Sequence, residues 1–460
     1  MAHSDKDSVI SYEPPDDQRP ASAAAPAEAA INARPPARDP YAALRYANFA
    51  YYQLGWICAV IGDQIMEVAV GWDIYQRTHD PLSLGWVGLV SALPIILLAL
   101  PAGHIADRFD RRQIVIYSQL VRAACVIGLA LISYHHGSIG AMYAVLFVIA
   151  ITKAIGWAAR AAMLPALVPV DVFANAVNWN SSAFQMSAMI GPALGGMIVR
   201  WNVPIAYVIG AALAIVFAAL MLPLKIRYEP PQREPATLRS LAAGVHFVLN
   251  TKIILALITL DLFAVLLGGA IYLLPIFATD YLHVGAIGFG WLRAAPGLGA
   301  VTMGLLIAHM PPFKHAGRAM LWAVAGFGVA TIAFGLSRNF WFSLTMLFVT
   351  GALDNISVLV RHTLVQVLMP DAMRGRVSAV NNIFIGASNE LGGFESGATA
   401  RFFGTITSVV AGGIGTIAAV ILVGIVWPQV RRFGSLADAK AEPERTKIVE
   451  VISVPGSTDD

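Results

Sequence analysis

Gly103-His-Ile-Ala-Asp107-Arg108-Phe-Asp110-Arg111-Arg112 places three arginines and two aspartates in ten residues. Directly before it, residues 82 to 102 carry no charge. About 20 apolar residues of helix match the hydrocarbon thickness of a bilayer. The chain therefore leaves a membrane onto a short arginine-rich loop, and such loops stay on the cytoplasmic side.

The rest of the chain repeats this alternation. Apolar runs centre on 46–76, 82–106, 113–134, 139–168, 173–199, 203–224, 252–280, 285–309, 317–336, 339–368, 375–400 and 404–428, which makes twelve. They are numbered spans 1 to 12 below. Hydrophobic residues make up 57% of the chain and charged residues 13%, about half the charge of a soluble protein. Mean hydropathy is +0.66. Runs of this length exclude a transmembrane β-barrel, whose strands are about 10 residues and alternate in polarity. With both termini cytoplasmic, only four of the 31 Lys and Arg fall in outside loops: Arg77, Arg200, Arg338 and Arg401. Arg122, Lys153, Arg160, Arg293 and Arg361 fall within spans, and the rest lie inside or at the inside ends of spans.

The domain plan follows from these runs. Residues 1–44 are rich in Pro, Ala, Asp and Arg and read as a disordered tail. Residues 45–224 form a first six-helix bundle, and residues 252–430 a second. A cytoplasmic linker, 225–251, joins them through a prolyl stretch and an amphipathic segment from Thr237 to Asn250. Residues 431–460 form a second polar tail. The halves resemble each other faintly. An offset of 201 pairs Arg160 with Arg361, Pro169 with Pro370, Asn180 with Asn381 and Gly191 with Gly392. An offset of 205 pairs Gly85-Trp86 with Gly290-Trp291. The expected fold is an all-α integral membrane protein of twelve transmembrane helices in two pseudo-symmetric six-helix bundles.

The loop after span 2 resembles the signature loop of the major facilitator superfamily, with Asp110 where a second glycine is usual. Trp157-Ala-Ala-Arg160 through Pro165 and Pro169 is similar to one branch, the drug:proton antiporter-3 type, which holds siderophore exporters and macrolide-efflux proteins. Ser187-Ala-Met-Ile-Gly191-Pro192-Ala-Leu-Gly195-Gly196 resembles the span-5 antiporter motif, with Ser187 at its usual first glycine. The resemblance covers roughly residues 46 to 428. It implies a major facilitator fold and a cytoplasmic gate built from Gly103, Asp107, Arg108, Arg111, Arg112, Arg160 and Arg361. In that reading, Asp107 latches against Arg160 when the cavity faces outward. Asp107 is also placed to accept hydrogen bonds from a helix N-terminus. The four motif residues Gly191, Pro192, Gly195 and Gly196 imply a kink or a close helix approach.

Ionisable groups at membrane depth are costly and usually functional. Counted from each span's start, Asp63, Lys153, Asp354 and Glu390 fall near the midplane, and Glu67 and Arg293 in the outer half. Asp63 and Glu67 lie four apart on one helical face. A carboxylate pair of this kind suits proton coupling, with Asp63 the first candidate. A permanent ion pair of either carboxylate with Arg293, or of Lys153 with an acidic neighbour, is the alternative. Asp63, Glu67, Arg293, Asp354 and Glu390 are thus the candidate coupling or cavity residues.

The expected activity is secondary transport, proton-coupled export of an amphipathic small molecule (drug, macrolide or siderophore) by alternating access in the inner membrane. Its expected partners are a small-molecule substrate, protons and the lipid bilayer, with the chain acting as a monomer. No basic stretch suggests nucleic acid. No P-loop is present for ATP, and no cofactor or metal site is expected. His135-His136 lack a third ligand nearby, and Cys58 and Cys125 sit in apolar runs. No nucleophile–base set points to an enzyme. An uncoupled flippase or facilitator and a membrane-embedded lipid-modifying enzyme remain the alternatives.

Overall fold

The computed structural model describes residues 39–224, 238–311, 313–369 and 371–434. Most of both expected tails and the prolyl part of the linker lie outside these residues. The first six spans are Ala47–Thr78, Pro81–Arg108, Arg111–Tyr134, Ile139–Met163, Phe173–Trp201 and Val203–Met221. A helix over Leu238–Asn250 precedes the second six. These are Lys252–Leu267 with an irregular continuation to Tyr281, Gly285–Ala308, Ala316–Leu336, Phe340–Leu368, Asp371–Phe403 and Thr405–Val426. Strands are absent among the described residues.

Eleven of these helices are long and apolar enough to cross a membrane. The exception is span 11, 33 residues over Asp371–Phe403. Its length suffices, but Arg374, Arg376, Glu390, Glu395 and Arg401 lower its apolarity. It packs against spans 2 and 7, so neighbouring helices rather than lipid cover much of its surface.

Helix starts are fixed by local chemistry. Asp80, Ser138, Asn202 and Asn339 each accept a backbone N–H at the start of spans 2, 4, 6 and 10. These caps lie at the end opposite the arginine loop, hereafter the far end. At the arginine end, Asp110 accepts the Arg112 N–H at 2.9 Å and caps span 3. The residue that replaces a glycine of the family motif is therefore itself a helix cap. Span 7 breaks at Gly268-Gly269 and continues through tight turns to Tyr281.

Apolar packing divides the molecule by depth. At the far end a single core joins both halves. Ile65, Val68, Ile74 and Leu129 of the first half belong to it, as do Leu273, Phe277, Phe289 and Phe334 of the second. At the arginine end each half has its own core. Phe49, Tyr52, Met163 and Phe217 centre one, and Ile254, Leu257, Val360 and Leu364 the other. The linker helix adds Phe247 and Val248 to the second of these.

Backbone contact seals the far end. Spans 5 and 8 meet at Gly196 and Gly290, where a Cβ on Gly196 would lie 2.6 Å from the Ala286 carbonyl and 2.8 Å from the Gly290 Cα. Spans 2 and 11 meet likewise at Gly85 and Gly397, with 2.6 Å between an added Cβ on Gly397 and the Gly85 Cα. Small residues allow this approach, and any side chain would force the helices apart.

Candidate functional site

Because the halves share a core at one end only, a cavity of about 850 Å³ separates them towards the other. Spans 1, 3, 4 and 5 supply most of its wall, including Trp56, Asp63, Gln119, Arg122, Lys153, Arg160, Asn180 and Phe184. Spans 8 and 10 supply the facing side: Ala300, Asp354, Asn355, Val358 and His362. The wall is thus polar at membrane depth, where lipid would reject the same groups.

Beyond it towards the far end lies a smaller chamber of about 120 Å³, lined by Glu67, Lys153, Tyr272, Arg293 and Glu390 among others. Arg293 on span 8 donates to Glu67 on span 1 at 2.8 Å, and the Lys153 ammonium on span 4 lies 3.5 Å from the other Glu67 oxygen. Glu67 therefore ties the two halves together through Arg293. Tyr272 donates its hydroxyl to Glu390 at 2.6 Å, within the second half. Beyond these groups the seal becomes apolar and then polar at its rim. Trp72 stacks on Phe289 at 6.0 Å, Tyr75 donates to Asp280, and Arg401 lies 3.4 Å from Asp80.

Asp63 is bound differently. It forms an ion pair with Arg122 on span 3, inside the first half. The side-by-side carboxylates of the sequence thus face different cations, and only one of them bridges the halves. Asp354 faces the cavity with no ion pair among the described residues.

The expected gate residues divide as well. Arg111 donates to the Ala106 and Ala162 carbonyls at 3.4 and 3.0 Å, and Arg112 to the Met221 and Leu222 carbonyls. Both satisfy helix C-termini and tie spans 2, 4 and 6 to the loop. Arg108 is exposed, Asp107 is half-buried in the last turn of span 2, and Gly103 has open space where a side chain would go. Arg160 is not paired with a carboxylate among the described residues. Its guanidinium stands over the Trp56 ring, 3.5 Å from the centroid. Its repeat partner Arg361 is buried deep in the second half in an ion pair with Asp261. In the span-5 motif, Gly191 and Gly195 face span 1, while Pro192 and Gly196 face span 8. The motif thus produces close approach of three helices.

Residues 38–450 match the family described as transmembrane secretion effector, a branch of the major facilitator superfamily. The chain belongs to this family. It is 25% identical over 384 residues to the enterobactin exporter EntS of Citrobacter koseri, which covers 82% of this chain and 90% of that protein. Among solved structures, a bacterial homologue of the human lysosomal transporter Spinster, inward-facing and occupied, matches with a TM-score of 0.65 at 15% identity. It covers 86% of this chain and 99% of that one. A D-xylose–proton symporter matches with a TM-score of 0.64 at 16% identity, covering 86% and 98%. Family members are multi-pass transporters, and the twelve-span, two-bundle architecture is that of the superfamily.

Three participants were not singled out as sites from sequence. Arg122 was read only as a charge within a span, although it holds Asp63. Trp56, an aromatic that could line a cavity but more often packs a core, carries Arg160 on its face. Tyr272 follows the Gly268-Gly269 break, and that break was the available signal, since irregular backbone at membrane depth occurs where it lines a cavity.

Proposed function

We propose that this chain is a proton-coupled exporter of the bacterial inner membrane, with both termini cytoplasmic, that carries a siderophore-type molecule outward by alternating access. The observation that carries this reading is the Glu67–Arg293 contact at the closed end of a polar cavity. The arginine end is the cytoplasmic one, so the described state is open inward and ready to receive cargo. The enterobactin-exporting relatives support a siderophore over a drug or macrolide.

The geometry supports a scheme for coupling. Outward opening separates span 1 from span 8 and removes Arg293 from Glu67. A carboxylate left without its cation in a low-dielectric site takes up a proton rather than stay charged. That proton comes from the outer side, which is then open. Return to the inward state brings Arg293 back and expels the proton inward. One proton enters for each outward transit of cargo. Glu67 replaces Asp63 as first candidate because the Asp63–Arg122 pair stays within one half and is not broken by the motion. Glu390 and Tyr272 line the same chamber and relay or share the proton, and Asp354 lines the cargo cavity.

The test uses proteoliposomes with an imposed pH gradient. Glu67→Gln should abolish gradient-driven transport while substrate exchange across the membrane persists, since exchange moves no proton. Gradient-driven accumulation at the wild-type rate in Glu67→Gln removes Glu67 from the coupling role. Wild-type flux that ignores the gradient would instead favour an uncoupled facilitator.

A further inference from the structure

We propose that the inner wall of the first half is a subsite for a flat aromatic group carrying negative charge, seated on the open face of the Phe184 ring with its charge towards the Arg160 guanidinium. The inference rests on the export reading above and names which part of the cargo this wall holds.

Charge is the first argument. On the first-half side, Asp63 is matched by Arg122, and Glu67 is shared by Arg293 and Lys153. Arg160 has no carboxylate within ion-pair distance among the described residues, and it lines the cavity. Lys153 is about half exposed there, with a side-chain exposure of 47%. The wall therefore presents excess positive charge. Asp354, across the cavity on span 10, repels an anion and steers it towards the first half.

Shape is the second. Arg160 lies over Trp56, and Trp56 lies nearly parallel to Phe184, with ring centroids 6.5 Å apart and an angle of 14°. Trp56 is only 9% exposed, but Phe184 is 46% exposed and lines the cavity, so its face is open to a further ring. Arginine planes and aromatic faces both favour stacking on flat groups.

Unpartnered polar atoms are the third. Trp56 and Gln119 are both more than nine-tenths buried, and both line the cavity. The Trp56 Nε1 donor, the Gln119 Oε1 acceptor and the Asn180 Oδ1 acceptor are enclosed in the wall and have no hydrogen-bond partner among the described residues. A ring bearing acidic oxygens and hydroxyls carries the acceptor that the first lacks and the donors that the other two lack, and meets them as these side chains turn towards the cavity. Purely apolar cargo matches none of the three, and a cationic group, which has donors only, leaves the Trp56 donor without an acceptor. Arg160 is also the guanidinium that the superfamily resemblance assigns to a latch with Asp107. Closing the arginine end would take it off the cargo, so gate closure and cargo release share one side chain.

The probes are three naphthalenes of like size: 2-naphthoate, 2-naphthylmethanol and 2-naphthylmethylammonium. Each is titrated by calorimetry onto the full chain in lipid nanodiscs near neutral pH with no gradient. The expected result is 2-naphthoate binding about tenfold or more tightly than the alcohol, with the ammonium weakest. Arg160→Gln should erase that preference. Equal or tighter binding of the alcohol or ammonium overturns the proposal, as does absence of naphthoate binding or a preference that survives Arg160→Gln. Should Arg160→Gln fail to fold, Phe184→Ala decides, because that ring is exposed. It should weaken naphthoate about tenfold, and unchanged affinity overturns the subsite. No gradient enters this measurement, so failure of proton coupling leaves its outcome intact, and failure of the subsite leaves coupling intact.

Discussion

The two ends of the molecule are built from different materials. At the far end, glycine backbones touch across the halves and one apolar core runs through both. At the arginine end, each half keeps a core of its own and the cavity lies between them. Inside each half at that end, charges and carbonyls do the binding: Arg111 and Arg112 on helix C-termini, Asp261 on Arg361. The contrast teaches that the far end is sealed chiefly by shape, with charged ties such as Glu67–Arg293 added to it, whereas charge at the arginine end holds each half together. Closure by shape tolerates no added atoms. A charged tie can be made and unmade by moving one proton or one guanidinium.

The largest expected effect attacks the shape. Gly196→Leu inserts a side chain where even a Cβ lies 2.6 Å from a carbonyl. Overpacking of this kind costs about 1–3 kcal/mol, enough to shift the ratio of states towards outward-open by about fivefold to a hundredfold. Spin labels on the far ends of spans 5 and 8 should report a longer distance, and transport should fall. An unchanged distance with normal transport would mean the glycine contact does not hold that end.

Next comes the tie between the halves. Arg293→Gln removes a charge-assisted hydrogen bond worth about 1.5–3 kcal/mol, whereas Lys153→Gln removes a longer contact within the first half. The same label pair should move in the former and stay in the latter. Equal responses would show that the bridge across the halves has no special weight. Smaller still is Tyr75→Phe, which deletes one hydroxyl donating to Asp280 across spans 1 and 7. About 1 kcal/mol is at stake, or roughly fivefold in populations, readable by the same labels.

The last prediction changes no function and fixes which end faces which compartment. Cysteines at Phe109, an exposed position of the arginine loop, and at Ser138, in a loop without Lys or Arg, should label from opposite sides of intact cells. Labelling of Phe109→Cys from outside would reverse the direction assigned to transport.

Much of the fold was legible because apolar runs and arginine placement are properties of the chain in order. Span 11 was the weakest of the runs for the same reason: its polar residues are tolerable only beside spans 2 and 7, and a linear reading does not see neighbours. The site was legible in its members more than in its pairings. Glu67, Arg293, Asp354 and Glu390 all stand at cavity or chamber walls. Which cation meets which carboxylate depends on the rotation of each helix about its axis. Asp63 and Glu67, one turn apart, differ enough in height and direction to meet Arg122 and Arg293 respectively. Arg160 and Arg361 share a repeat position, yet one finds a tryptophan face and the other a carboxylate. The difference lies in the first helix of each half: an offset of 205 sets Asp261 where the first half has Trp56.

The shared core at the far end has a thermal consequence. Opening that end wets Ile65, Phe277, Phe289 and their neighbours. Wetting apolar surface raises heat capacity and costs less free energy in the cold. Charged and carbonyl contacts like those at the arginine end add little to that dependence. Cooling should therefore favour the outward-open form, and the logarithm of the population ratio, plotted against reciprocal temperature, should curve. The exporter would act as its own thermometer, resting inward at warm temperatures and drifting outward as the membrane chills.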